Sequence, residues 1–84
     1  MKKEGKKMNI LITGGSGFVG INLTEEFLKH KATVVNYDPL PVMEEALNVF
    51  RGMEGTYFWE KGDVLDGSHV CAVLRKYKID MIIH

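Results

Sequence analysis

The run Thr13-Gly14-Gly15-Ser16-Gly17-Phe18-Val19-Gly20 holds the residues of this chain best suited to chemistry, and that chemistry is anion binding. Two glycine spacings are satisfied at once. Gly15, Gly17 and Gly20 fit G-x-G-x-x-G, and Gly14, Gly17 and Gly20 fit T-G-x-x-G-x-x-G. A sharp strand-to-helix turn calls for a residue free to take positive φ. A pyrophosphate reaches the main chain only where no Cβ intervenes, the place assigned to Gly17. Gly20, one turn into the helix, falls where a side chain would push the helix off the sheet. The N–H groups of Phe18 and Val19, at the positive end of the helix dipole, are then the diphosphate donors. No Gly-Lys-Ser/Thr follows, which excludes a P-loop.

Two further positions complete a dinucleotide reader. Asp38 ends the second β-rich run, close to the roughly 20-residue interval expected after the glycines. Its carboxylate can accept from adenosine ribose hydroxyls and repel a 2′-phosphate. Like charges about 4 Å apart near a surface cost on the order of 4 kcal/mol before screening. Pro39, Leu40, Pro41 and Val42 follow, with no Arg or Lys to rescue NADP, so NAD is the expected cofactor. Gly62-Asp63-Val64 follows the third run. It is either an ordinary turn or a place where a carboxylate accepts from the adenine amino group while the Val64 N–H meets a ring nitrogen.

The elements that must position these residues alternate. Asn9 to Thr13 reads as a strand and Gly17 to His30 as a helix, with Val19, Leu23, Phe27 and Leu28 inward and Asn22, Glu25, Glu26 and Lys29 outward. Thr33 to Tyr37 is a second strand. Pro41 suits the first turn of a short helix through Phe50, with Val42 or Met43, Ala46, Leu47 and Phe50 on one side. Thr56 to Glu60 is a third strand. Asp66 to Lys78 is a helix with an Asp or Ser start and a Val70, Val73, Leu74, Tyr77 stripe, and Asp80 to His84 opens a fourth strand. Strands alternating with helices predict an α/β fold: a Rossmann-type parallel sheet of order 3-2-1-4, helices on both faces, truncated after the start of strand 4.

Composition narrows the class. The 84 residues are 45% hydrophobic and 26% charged, as expected of a globular core, with Lys plus Arg and Asp plus Glu both 11. No net field draws nucleic acid or an anionic membrane, and no run approaches the roughly 20 apolar residues of a membrane span. Residues 1–7 form a basic leader without a signal-peptide core, expected as a solvated tail before an 8–84 domain segment. Cys71, the one cysteine, lies in an apolar stretch and is expected to be small and buried, consistent with a reducing, cytoplasmic setting. His30, His69 and His84 show no metal-like clustering and read as surface or strand-end residues.

On Thr13 to Gly20, Tyr37-Asp38, Gly62-Asp63-Val64 and Asp80-Met81-Ile82-Ile83-His84, the chain resembles the extended short-chain dehydrogenase/reductases, the NAD-dependent epimerases and dehydratases, from Met8 to His84. The resemblance implies that Asp63 and Val64 contact adenine. It also implies small-molecule substrates such as nucleotide-activated sugars or sterols, acted on by hydride transfer, and it is compatible with a homodimer. One departure stands at the end of the first helix. The family commonly has a glycine there, and His30-Lys31-Ala32-Thr33 has none.

The family's catalytic pair is Tyr-x-x-x-Lys on a helix, and Tyr57-Phe58-Trp59-Glu60-Lys61 matches the spelling. On a helix such side chains lie about 5–6 Å apart and the ammonium lowers the phenol pKa. On a strand they are separated by roughly 13 Å. The segment is aromatic and comes too early, so its aromatics are expected in sheet packing. No catalytic residue and no metal ligand is expected within residues 1–84. The expectation is therefore an NAD(H)-binding segment of such an enzyme. The alternatives are a non-catalytic NAD(H) sensor and a free-standing nucleotide-binding module.

Overall fold

The computed structural model describes residues 7–84; the leader expectation for residues 1–6 lies outside them. The order is β1 (Asn9–Thr13), α1 (Phe18–Lys29), β2 (Thr33–Tyr37), α2 (Glu44–Arg51), β3 (Thr56–Glu60), α3 (Gly67–Lys76) and β4 (Met81–Ile83). The four strands form one parallel sheet in the order β3-β2-β1-β4. In register, Leu11 sits between Val35 and Ile82, and Val35 in turn pairs with Phe58.

Alternation along β1 and β2 sends side chains into two cores. Ile10, Ile12 and Val34 meet Leu28, Ala46 and Phe50 beneath α1 and α2. On the other face Leu11, Val35 and Tyr37 meet Val73 of α3. Helices thus cover both faces, and β1 and β2 are apolar on both sides, as parallel strands between helix layers must be. Each Leu or Phe so buried contributes about 1.5–3 kcal/mol.

The helix ends follow local chemistry. Asp66 caps α3, its side chain accepting from the His69 N–H at 3.2 Å. α1 closes without its glycine because Lys31 takes the left-handed conformation, φ 67°. Lys31 N–H then bonds Leu28 O at 3.0 Å and Ala32 N–H bonds Phe27 O at 3.2 Å, the paired bonds of a Schellman end. Lys78, φ 52°, ends α3 in the same way, with Ile79 N–H on Leu74 O at 3.0 Å. Asn9 ties that end to β1, its Nδ2 donating to Tyr77 O at 3.0 Å and Lys78 O at 3.2 Å.

Several expectations are corrected. α2 begins at Glu44, not near Pro41, because Leu40 is held in the preceding loop by the Asp38 carboxylate and the Ser16 hydroxyl, which keeps the chain extended through Met43. Val42 is buried from that loop, outside the helix, and Met43 is exposed. Val19 leaves the apolar stripe of α1: it lies in the first turn, above the strand ends, and is exposed. Thr24, with Leu28, takes the buried line instead. Cys71 is exposed on the outer side of α3, where Val73 is the buried residue. His69 is half-buried against Tyr37, not on the open surface.

Candidate functional site

The β1–α1 turn carries both glycine spacings. Gly14 takes φ +69°, a conformation that favours glycine. Gly14 N–H bonds Tyr37 O at 3.0 Å, fixing the turn to the end of β2. A Cβ on Gly20 would stand 2.5 Å from Gly15 Cα, so Gly20 keeps the helix close to the turn itself and not, as expected, directly to the sheet. A Cβ on Gly17 would meet nothing nearer than Gly14 O at 3.8 Å, which leaves that side open. Gly17 is the N-cap of α1, with no side-chain cap bond. The first-turn N–H groups, including those of Phe18 and Val19, have no acceptor within the helix. Open space beside free donors at a helix N-terminus fits a diphosphate.

Asp38 follows β2 and is buried, yet both carboxylate oxygens are in use: Oδ2 accepts from Ser16 N–H at 3.1 Å and Oδ1 from Leu40 N–H at 2.9 Å. Each oxygen keeps a further lone-pair direction. The carboxylate is therefore locked to the glycine turn at the strand ends, where a ribose joined to a diphosphate on that turn would lie. Pro39 and Leu40 after it are exposed.

Asp63 and Val64 are exposed in the β3–α3 loop. Asp63 Oδ1 accepts from Leu65 N–H at 2.9 Å, and Asp63 O accepts from Asp66 N–H at 2.9 Å. Thr13, Gly14, Tyr37, Pro39, Asp63, Val64 and His84 line a cleft of 320 Å³ across the C-terminal strand ends. The structure thus brings Gly14, Asp63 and Val64 into one cleft with the loop of Asp38. It sets Gly17, Phe18 and Val19 on the adjoining helix start, Phe18 82% exposed. Of two larger clefts, one, of 380 Å³, lies by Met8, Ala32 and Met81 at the opposite strand ends, and the other, of 430 Å³, between α2 and β3.

Sequence reasoning missed a buried network beneath the turn. Asn36 Nδ2 donates to Ser16 Oγ at 2.9 Å and to the Tyr57 hydroxyl at 3.0 Å, and Ser16 Oγ donates to Leu40 O at 2.6 Å. Gly15 is required there because a Cβ would stand 2.5 Å from Asn36 Oδ1. The signal was available: Asn36 is the one polar residue in the middle of the apolar T-V-V-N-Y run. Of the Tyr57 to Lys61 spelling, Tyr57 to Glu60 fall on β3, as expected, and Lys61 follows its end. Burial holds the Tyr57 phenol above its ordinary value, the opposite of what a base needs. Tyr57 packs on Phe50 and Phe58 on Tyr77, while Trp59 Nε1 donates to Asp38 O at 2.9 Å. Phe58 and Trp59 nevertheless stay partly exposed on the edge strand. Among the described residues no group of His, Cys, Asp and Glu could hold a metal ion, and no helix is long and apolar enough to cross a membrane.

A parallel sheet of this order, with a glycine turn feeding α1 and a carboxylate at the end of β2, defines the front part of a Rossmann-like fold. A family model described as GDP-mannose 4,6 dehydratase matches residues 11–84, and the chain belongs to that family, within the extended short-chain dehydrogenase/reductases. Relatives include dTDP-glucose 4,6-dehydratase of Haemophilus influenzae, 35% identical over 80 residues, covering 92% of this chain and 23% of the relative. Sterol-4-alpha-carboxylate 3-dehydrogenase (decarboxylating) of Candida albicans is 31% identical over 78 residues, covering 90% of this chain and 22% of the relative. Among solved structures, UDP-glucose 4-epimerase of Bifidobacterium longum with NAD+ and UDP superposes with a TM-score of 0.77 at 28% identity, over 92% of this chain and 24% of that one. The epimerase of Stenotrophomonas maltophila, with NAD and formylated UDP-arabinopyranose, also gives 0.77, at 25% identity, over 89% and 23%. The chain spans less than a quarter of the length of these relatives.

Proposed function

We propose that this chain is the NAD(H)-binding segment of an extended short-chain dehydrogenase/reductase, a nucleotide-sugar epimerase or dehydratase or a related NAD-dependent oxidoreductase. One observation carries the reading: the open side of Gly17 and the free first-turn N–H groups of α1 share the strand ends with a carboxylate locked to the same turn. Gly14, Gly17 and Gly20 shape the turn, Phe18 and Val19 donate to the diphosphate, Asp38 accepts from the ribose hydroxyls, and Asp63 with Val64 meets the adenine. When bound, the nicotinamide cofactor supplies hydride exchange with the substrate. The residues of this chain hold its adenosine diphosphate half. The NAD-bound epimerases of similar fold, one of them also holding a nucleotide sugar, support the cofactor and the substrate class.

Asp38 is the selector of NAD over NADP, since a 2′-phosphate would face a buried carboxylate with no cation in the four residues that follow. Fluorescence titration of NADH and NADPH into the protein and its Asp38→Ala variant tests this. The protein should prefer NADH by at least about tenfold, which corresponds to about 1.4 kcal/mol, and the variant should lose most of that preference. Equal affinity of the unsubstituted protein for both cofactors would refute the assignment.

A further inference from the structure

Tyr37 closes β2 on the α3 side of the sheet and is 1% exposed, among the most deeply buried side chains of the chain. A phenol so placed must find polar partners. Its hydroxyl donates to Asp63 O at 2.9 Å. It also stands 3.2 Å from His69 Nδ1, and with the phenol proton directed to Asp63, the imidazole N–H is the donor in that contact. The His69 ring meets Tyr37 edge-on at 5.3 Å. Gly62 lies directly on the Tyr37 ring, where any Cβ would overlap the ring carbons and the hydroxyl. The bonds inside the 62–66 loop, Leu65 N–H to Asp63 Oδ1 and Asp66 N–H to Asp63 O, set its shape but not its height above the sheet. Its bond back to the sheet side, Gly62 N–H to Asp38 O, is long at 3.4 Å. Between that bond and the start of α3, which packs on the sheet through Val70 and Val73, the Tyr37 ring and hydroxyl are the contacts that meet the loop.

We propose that Tyr37 is a specificity-determining positioning residue for the nucleotide base, its ring and hydroxyl fixing Asp63 and Val64 where they distinguish an amino-substituted purine from an oxo-substituted one. This rests on the NAD(H)-binding reading above. Adenine presents an amino donor and a ring-nitrogen acceptor, which a carboxylate and an N–H complement. Hypoxanthine presents a carbonyl and a ring N–H in their place, so both contacts turn unfavourable. Such discrimination survives only while both groups stay at the correct height, because a hydrogen bond weakens steeply with misalignment.

The test titrates NADH and its hypoxanthine analogue into the protein, Tyr37→Phe and Gly62→Ala, with NADPH as a second comparison. The unsubstituted protein should favour NADH over the analogue by about tenfold or more. Tyr37→Phe should bring that ratio severalfold toward one. The NADH-to-NADPH ratio should stay unchanged, since Ser16 and Leu40 hold Asp38 independently. A general loss of stability would lower all affinities without moving one ratio alone. Gly62→Ala lifts the same loop off the ring and should give the same selective loss, which keeps the test decisive if Tyr37→Phe does not fold. Retention of the full base ratio in the folded variants overturns the proposal. NADH binding without base preference in the unsubstituted protein also overturns it while leaving the NAD(H) reading standing, and failure to bind NADH at all removes that reading as well.

Discussion

At the residue scale, Gly17 and Gly20 do different jobs, so one substitution should do different damage at each. Gly17 faces open space and Gly20 faces the Gly15 backbone. Gly17→Val fills the place proposed for the diphosphate and leaves the packing alone. Gly20→Val drives the helix start off the turn, with a cost in the 1–3 kcal/mol range of core overpacking. Melts without cofactor should therefore show Gly20→Val less stable than Gly17→Val. Titrations should show dinucleotide binding abolished in Gly17→Val. If Gly17→Val binds NADH at full strength, the phosphate assignment of that turn is wrong.

Helix ends carry the predictions at the element scale. Lys31 holds a left-handed conformation that costs an L-residue about 1–2 kcal/mol and glycine nothing. Glycine loses more chain entropy on folding, which offsets about 0.5–1 kcal/mol of the gain. The Lys31–Glu54 ion pair lost with the side chain is exposed and contributes little. Lys31→Gly should therefore stabilise the protein by about 0.5–1 kcal/mol, read as a rise in the urea midpoint at constant m. A fall would show that Lys31 contributes something beyond its backbone.

The tie between β3 and α3 predicts a pH dependence. Glu60 Oε2 accepts from the Tyr77 hydroxyl at 2.6 Å and from Lys76 Nζ at 3.0 Å. These bonds, the Tyr77 one foremost, hold the Glu60 carboxyl below its ordinary value of 4.5. A carboxyl lowered on folding stabilises the fold above its unfolded value, and that contribution disappears as pH falls through the folded value. Tyr77→Phe should lose about 1 kcal/mol at neutral pH, the scale of one such bond. The gap to the unsubstituted protein should narrow below pH about 4, where the unfolded carboxyl also takes up its proton. Denaturation curves across that range check it, and a gap that does not change with pH would show that the Glu60 charge is not involved.

At the scale of the whole molecule, both sheet edges present apolar groups. Met81 and Ile82 of β4 are 40% and 52% exposed, and Phe58 and Trp59 of β3 are partly exposed at the other edge. Unpaired strand edges with such side chains recruit further strands. A polypeptide of residues 1–84 alone should therefore associate as its concentration rises. Its stability should fall at or below the low end of the usual 5–15 kcal/mol, since a chain of this size buries only about 60–65% of its unfolded surface. Light scattering paired with a urea titration would check this. A monomer at high concentration with a sharp cooperative transition would show a self-sufficient module.

Much of this architecture was legible in the chain because its signals are local. Period-2 and period-3.6 apolar patterns give strands and helices, Asp66 announces its helix, and spaced glycines between a strand and a helix announce a tight turn. Alternation of strand and helix, with right-handed crossovers, then leaves the order 3-2-1-4 as the natural one. Tertiary structure alone decided the rest, because those outcomes depend on which chain-distant groups meet. Pro41 suited a helix start, and the bonds of Leu40, its N–H donating to Asp38 and its O accepting from Ser16, delayed it to Glu44. Cys71 and Val19 belong to apolar stretches, yet the helix phase turns Cys71 outward and the height of the first turn above the strands exposes Val19. That Asn36 carries Ser16, that Gly15 makes room for Asn36, and that Tyr37 supports Asp63 are contacts between residues twenty or more positions apart. A local pattern specifies which face a residue occupies, and only packing specifies which atom it meets there.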